Sequence, residues 1–139
     1  MAAFNKVNSF ITAVCAGTHA NAINAATDQL DVYLSNATPS ASADVNKADL
    51  AEIATGNGYT GPQDTTNGTS QTGGTITLTA VDVVINASGA VGPFQYVALF
   101  NQTAASDPLW GWWDYGSPVT LANGESFTVN FGASLFTFA

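Results

Sequence analysis

The sequence predicts a mainly β protein, an antiparallel β-sandwich with a short N-terminal amphipathic helix, jelly-roll connectivity being one arrangement it admits. Three observations carry that expectation. Short runs in which apolar residues alternate with Thr, Ser or Asn recur along the chain, and each is closed by Gly, Asn, Pro or Asp. Between Gly92 and Gly116, GPFQYVALFNQTAASDPLWGWWDYG, two aromatic runs flank a polar loop. Only the first seventeen residues follow a three-and-four spacing instead. At 139 residues the chain reads as one domain: 1–17 helix, 18–29 connector, and 30–139 a β core with an exposed loop at 61–74.

Phe4, Val7, Phe10, Ile11 and Val14 recur at helical steps with polar residues between them, which predicts one amphipathic helix ending at Gly17. It either packs across its own domain or docks on a partner. Leu30, Val32 and Leu34 alternate with Asp31, Tyr33 and Ser35, a half-buried strand. DLAEIAT, Asp49 to Thr55, fits a helical turn or a short strand equally. Gly56, Asn57 and Gly58 require a tight turn, because glycine accepts positive φ without cost.

Residues 61–74 are almost wholly Gly, Thr, Asn, Gln, Asp and Pro, and read as an exposed loop without core residues. Ile76, Leu78 and Ala80 then alternate with threonine, after which the apolar parity flips to Val81, Val83 and Ile85. A β-bulge near Ala80 to Asp82, or a turn into a second strand, accounts for the flip. In the aromatic hairpin, Phe94, Tyr96, Ala98 and Phe100 share one parity and Val97 and Leu99 the other. In its second run Trp113 and Tyr115 oppose Trp110 and Trp112, so both faces must be covered and these are the central strands. Val119 to Leu121 is a short strand, Ala122 to Glu125 an Asn-Gly hairpin turn, and Phe127, Val129 and Phe131 alternate cleanly. Leu135 to Ala139 is apolar enough that it pairs inside a sheet or with another subunit.

Charge excludes several functions. Only 9% of residues are charged, against about 25% in ordinary soluble domains, and Lys6 and Lys47 are the sole cations in a net charge of −8. Clustered Lys or Arg, which phosphate neutralisation requires, is absent, so nucleic acid is not the partner, nor is an anionic membrane surface. No apolar stretch approaches the roughly 20 residues that span a bilayer, and no signal peptide is recognisable. A β-rich chain with so little surface charge has little to keep it from packing on neighbours, which points to a subunit of an assembly. Cys15, the single cysteine, can form neither an intrachain disulfide nor a zinc cluster and reads as a small packing residue.

Candidate chemistry is thin. His19, the only histidine, has no acidic or cysteine partner adjacent in sequence and reads as a surface or hydrogen-bonded loop residue. No nucleophile elbow, zinc-protease or phosphate-loop spacing occurs, and no calcium loop. Asp49 with Glu52, or Asp107 with Asp114, are the carboxylate pairs to test against a glycosidase arrangement. Asp114 reads more simply as a strand-end acceptor of backbone N–H groups. Trp110, Trp112, Trp113 and Tyr115 allow a sugar-stacking platform, although core packing on one face and subunit contact on the other explain them too. No catalytic residue, metal ligand or cofactor is assigned. The interface candidates are Phe4, Val7, Phe10, Ile11, Val14, Trp110 and Trp112.

The order LDVYLSNATP, ADLAEIATGNGYTG, GPFQYVALFNQ, DPLWGWWDYG, LANGESFTVNF resembles a family of small virion structural proteins of tailed bacteriophages. GNGYTG and DPLWGWWDYG in that order carry the resemblance, which runs from about Leu30 to the C-terminus. It implies a non-enzymatic subunit, made in the host cytoplasm and bound as a decoration or cement protein outside the shell of the major capsid protein. Capsid seams meeting at three-fold points make a trimer the expected self-association. The helix or the loop at 61–74 is expected to make the capsid contact. The alternative is a minor tail or tail-fibre protein whose aromatic face binds glycans or adjoining subunits.

Overall fold

A computed structural model describes residues 2–24 and 27–139. Residues 1, 25 and 26, part of the expected helix and connector, lie outside the described residues. The protein is mainly β, 44% strand and 10% helical, with antiparallel sheets packed in a sandwich-like arrangement. Its elements are β1 (Phe4–Lys6), α1 (Ser9–Cys15), α2 (Ala20–Asn24), β2 (Leu30–Ser35), a 3₁₀ turn (Lys47–Asp49), β3 (Gln63–Asp64), β4 (Gly68–Thr72), β5 (Thr75–Thr79), β6 (Val83–Asn86), β7 (Val91–Asn101), β8 (Leu109–Leu121), β9 (Ser126–Val129) and β10 (Phe136–Phe138).

The aromatic hairpin is the centre of the larger sheet, as its two-sided pattern requires. β7 and β8 pair antiparallel in the order β1-β8-β7-β2-β3. A three-stranded sheet, β10-β5-β4, and a two-stranded ribbon, β6-β9, form the layer against one face. Ring contacts join the layers: Phe136 to Phe4 at 4.9 Å, Phe131 to Trp113 at 5.7 Å, and Phe127 to Phe94 at 4.9 Å. The opposite face is crossed by residues 36–60. There Tyr33 donates its hydroxyl to the Leu50 carbonyl at 3.0 Å, and Leu34 N–H bonds the Tyr59 hydroxyl at 3.1 Å.

That second cover corrects the expected half-buried strand. All six residues of β2 are buried, the segment at 36–60 lying over Tyr33 and Ser35, whose hydroxyls donate to its Leu50 and Ala51 carbonyls. The undecided DLAEIAT stretch is neither helix nor strand beyond Asp49; it runs extended along β2, with Ile53 N–H bonded to the Leu34 carbonyl at 3.0 Å. Gly56 to Tyr59 forms the expected tight turn, with Asn57 at φ 53° and Gly58 at φ 96°. A Cβ on Gly58 would overlap the Asn86 carbonyl oxygen, so glycine is required for close approach as well as for φ.

The N-terminus departs most from expectation. The helix is confined to α1, and Phe4–Lys6 is instead an edge strand paired with Trp113–Gly111 of β8. The three-and-four spacing holds across both because Phe4, Val7 and Phe10 all reach the core, Phe4 from a strand and Phe10 from a helix. The connector at 18–29 contains α2, with Ala22 and Ile23 buried. Cys15 is exposed at the end of α1, not packed.

Residues 61–74 are not a bare loop. β3 pairs with Asp31 and Val32 of β2, Thr65 is fully buried with its hydroxyl donating to the Leu30 carbonyl at 2.8 Å, and β4 forms a hairpin with β5. Threonine and glutamine suffice for these strands because hydrogen-bond pairing, not apolar alternation, holds them. The parity flip at Ala80 to Asp82 is a passage between sheets: β5 ends at Thr79 and β6 pairs with β9. Leu135 to Ala139 supplies β10, which pairs with β5 inside the same chain.

Candidate interaction surface

The structure separates the seven interface candidates. Val7 and Phe10 are buried in the core, Phe4 and Val14 half-buried against it, and Ile11 stands out at 48% exposure. Trp110 has no exposed surface, while Trp112 is half-buried. Their shared parity in sequence is broken by a bulge: Leu99 pairs with Gly111 and Phe100 with Leu109, leaving Trp110 as the extra residue of β8. Trp110 therefore turns into the layer interface, where Phe10, His19 and Phe136 surround it at ring distances of 4.7, 5.0 and 5.5 Å. With Trp113 also buried, no flat row of indoles remains for stacking on a sugar.

His19 is a core residue, not a surface one. Its Nδ1 lies 3.1 Å from Trp110 Nε1 and 3.2 Å from Asn101 Nδ2. Indole nitrogen only donates. Asn101 Oδ1 already accepts from Thr103 and Ala104 N–H groups, both at 3.1 Å, which fixes the amide orientation and leaves Nδ2 as donor. Nδ1 is thus a double acceptor, the proton sits on Nε2, and that buried N–H has no hydrogen-bond partner. Asn101 spends its second N–H on Asp28 at 2.9 Å. Burial lowers the His19 pKa to about 4, against a smaller opposing pull from the Asp28 carboxylate. No sequence signal linked residues 19, 28, 101 and 110, which meet only through the topology.

Three of the four candidate carboxylates, Asp49, Glu52 and Asp114, are held in local bonds, while Asp107 lines an open cleft. Asp49 caps its 3₁₀ turn, accepting from Asn46 and Val45 N–H at 2.8 and 3.0 Å, bonds that hold its carboxyl below the usual range. Glu52 pairs with the Lys47 ammonium at 2.9 Å and accepts from the Tyr59 hydroxyl at 2.7 Å. Asp114 accepts from Gln95 Nε2 at 2.9 Å and from Gly116 N–H at 2.8 Å, the strand-end role the sequence suggested, and these bonds lower its pKa.

An open cleft of about 400 Å³ is lined by Asp31, Lys47, Pro62, Phe100, Gln102 and Asp107. Asp31, 5% exposed, accepts from Gln29 Nε2 at 2.8 Å and faces Asp64 across the β2–β3 pair. Burial, reinforced by the Asp64 and Asp107 charges, raises its pKa despite the Gln29 bond. The Lys47 ammonium stands 4.9 Å above the Tyr33 ring and is already matched by Glu52. The cleft holds no nucleophile paired with a base, and among the described residues no cluster of metal-ligating side chains occurs. No helix among them is long and apolar enough to cross a membrane.

What remains exposed is polar and nearly uncharged. The tip of the β4–β5 hairpin, Gln71 to Gly74, is exposed, and Val84 and Val81 stand out beyond it in sequence at 50% and 59%. Lys6 is exposed on the edge strand β1. Comparison with protein-family models, curated proteins and solved structures finds no match in any of the three.

Proposed function

We propose that this chain is a non-enzymatic structural subunit of a tailed-bacteriophage virion, a decoration or cement protein on the outside of the shell built by the major capsid protein. The observation that carries the reading is its surface. It carries few charges, those mostly acidic, one of its two lysines is matched by Glu52, and Thr, Ser, Asn and Gln make up much of the remainder. Such a surface tolerates solvent on one side and repeated neighbours on the other, and it repels packaged DNA. The motifs GNGYTG and DPLWGWWDYG add the resemblance to virion proteins. In the fold they are working parts, a tight turn set against Asn86 and the bulged central strand.

Because Val7 and Phe10 are committed to the core, the hairpin of β4 and β5 is the better candidate for the capsid contact, with Ile11 at a second exposed point. Subunits placed at three-fold points would associate as trimers, and repetition over the shell multiplies modest individual affinities. The test is co-sedimentation with purified shells lacking this protein. Saturable binding at a fixed ratio to the capsid protein is expected, lost when Gln71 and Thr72 are replaced by glutamates. Absence of binding by the wild-type chain overturns the reading and turns attention to a tail position.

A further inference from the structure

We infer that His19 is a proton-operated latch: neutral, it fastens the α1–α2 unit to the central sheet, and protonation of its Nδ1 releases that unit while the sheet stays paired. The inference is independent of any partner. It starts from an asymmetry in the ring's bonding. Nδ1 receives two N–H donors, from Trp110 on β8 and Asn101 at the end of β7, while the protonated Nε2 has no acceptor among the described residues. A buried donor left unpaired costs about 1–3 kcal/mol, so the arrangement persists only because the two bonds at Nδ1 and the packing of the ring offset it.

A proton taken from solvent onto Nδ1 would set three N–H groups against one another at a single point. Both tethers must then break, and the imidazolium would lie with no exposed surface among the rings of Phe10 and Trp110. The charged groups that face it are few. α1 and β8 present Phe10 and Trp110 to it, and Asp28, before β2, is the carboxylate whose field reaches the ring. Asp28 is held by Asn101 and does not bond His19 directly, so its attraction is the lesser force. The least costly response is for the ring to swing out to water.

The ring sits in the turn between α1 and α2, where Ile23 N–H bonds the His19 carbonyl at 3.1 Å, so its departure removes the side-chain tether of that turn to β7 and β8. The strands beneath do not depend on this contact: β2 pairs with β7 over six residues. Acid would thereby uncover the aromatic box around Trp110 without unfolding the sheet.

His19 is the only histidine, so its two ring nitrogens are directly assignable in a ¹⁵N-histidine NMR titration of the whole chain, run beside hydrogen exchange. At pH 7 we expect Nδ1 as a bare acceptor and Nε2 protonated, with a midpoint near pH 4. Between pH 6.5 and about 4, protection of α1–α2 amides, corrected for intrinsic exchange, should fall about tenfold per pH unit while β2 and β7 keep theirs. His19→Gln, whose Oε1 can accept both N–H bonds but takes no proton, should stay closed in acid. A proton on Nδ1 at pH 7, or loss of protection in all strands together with the helices, overturns the latch. So does a folded His19→Gln chain that opens at the wild-type pH; if that variant does not fold, the wild-type titration decides alone.

Discussion

Trp110 donates its indole N–H to Nδ1 of His19 across 3.1 Å, joining residues 91 positions apart that both lack any exposed surface. The bond exists because one bulge residue in β8 turns the indole inward, and it ties the helical N-terminus to the strand on which the sheet is built.

Replacing Trp110 removes both the bond and the centre of the aromatic box. Trp110→Ala should cost about 3–5 kcal/mol, the range for a large buried aromatic. Trp112→Ala, at a half-buried position on the same strand, should cost about 1 kcal/mol. Urea midpoints for the two variants check the order; equal losses would contradict the assignment of Trp110 as the inward residue.

Stability should fall in mild acid because of His19. Its folded pKa, about 4, lies below the unfolded value of 6.5, so between them the unfolded chain binds a proton that the folded chain refuses. The histidine contribution is therefore complete above pH 6.5 and lost progressively down to about pH 4. With about 1.4 kcal/mol per pH unit of displacement, the loss is at most about 3–4 kcal/mol. Denaturant titrations at steps across that window, compared with His19→Gln, isolate the effect.

Asp31 works with the opposite sign. Its carboxyl is raised, mainly by burial, so its neutral form suits the fold and its ionised form burdens it once pH exceeds the folded value. Asp31→Asn keeps an acceptor for Gln29 and removes the charge facing Asp64. The variant should be more stable than wild type at pH 7, by an amount that shrinks toward pH 3. Thermal midpoints at the two pH values measure it.

Gly111 is the clearance that lets β1 join the sheet. A Cβ there would overlap the Asn5 carbonyl oxygen and stand 2.6 Å from the Phe4 ring and 2.8 Å from Lys6 Cα. Gly111→Ala should displace β1, raise hydrogen exchange at residues 4–7, and cost about 2 kcal/mol or more. Deleting residues 2–17 should cost more still, since Val7 and Phe10 leave the core with them.

The two-sided aromatic hairpin and the C-terminal strands were legible in the sequence because their periodicity is set by burial. β3 and β4 were not, since Thr, Gln and Asp paired by backbone bonds look like loop. β1 was mistaken for helix because Phe4, Val7 and Phe10 satisfy a helical spacing while reaching the core from two different elements. His19 was invisible as a network member, its partners Asn101 and Trp110 lying more than eighty residues away. The inward turn of Trp110 depends on a bulge that no residue type announces.

Whether the chain decorates a phage shell, as proposed, is read directly by cryo-electron microscopy of intact virions. Regularly repeated density on the outer shell at three-fold and quasi-three-fold points, with the β4–β5 hairpin turned toward the capsid, is expected. Density confined to the tail or its tip, or none in the particle, would contradict it.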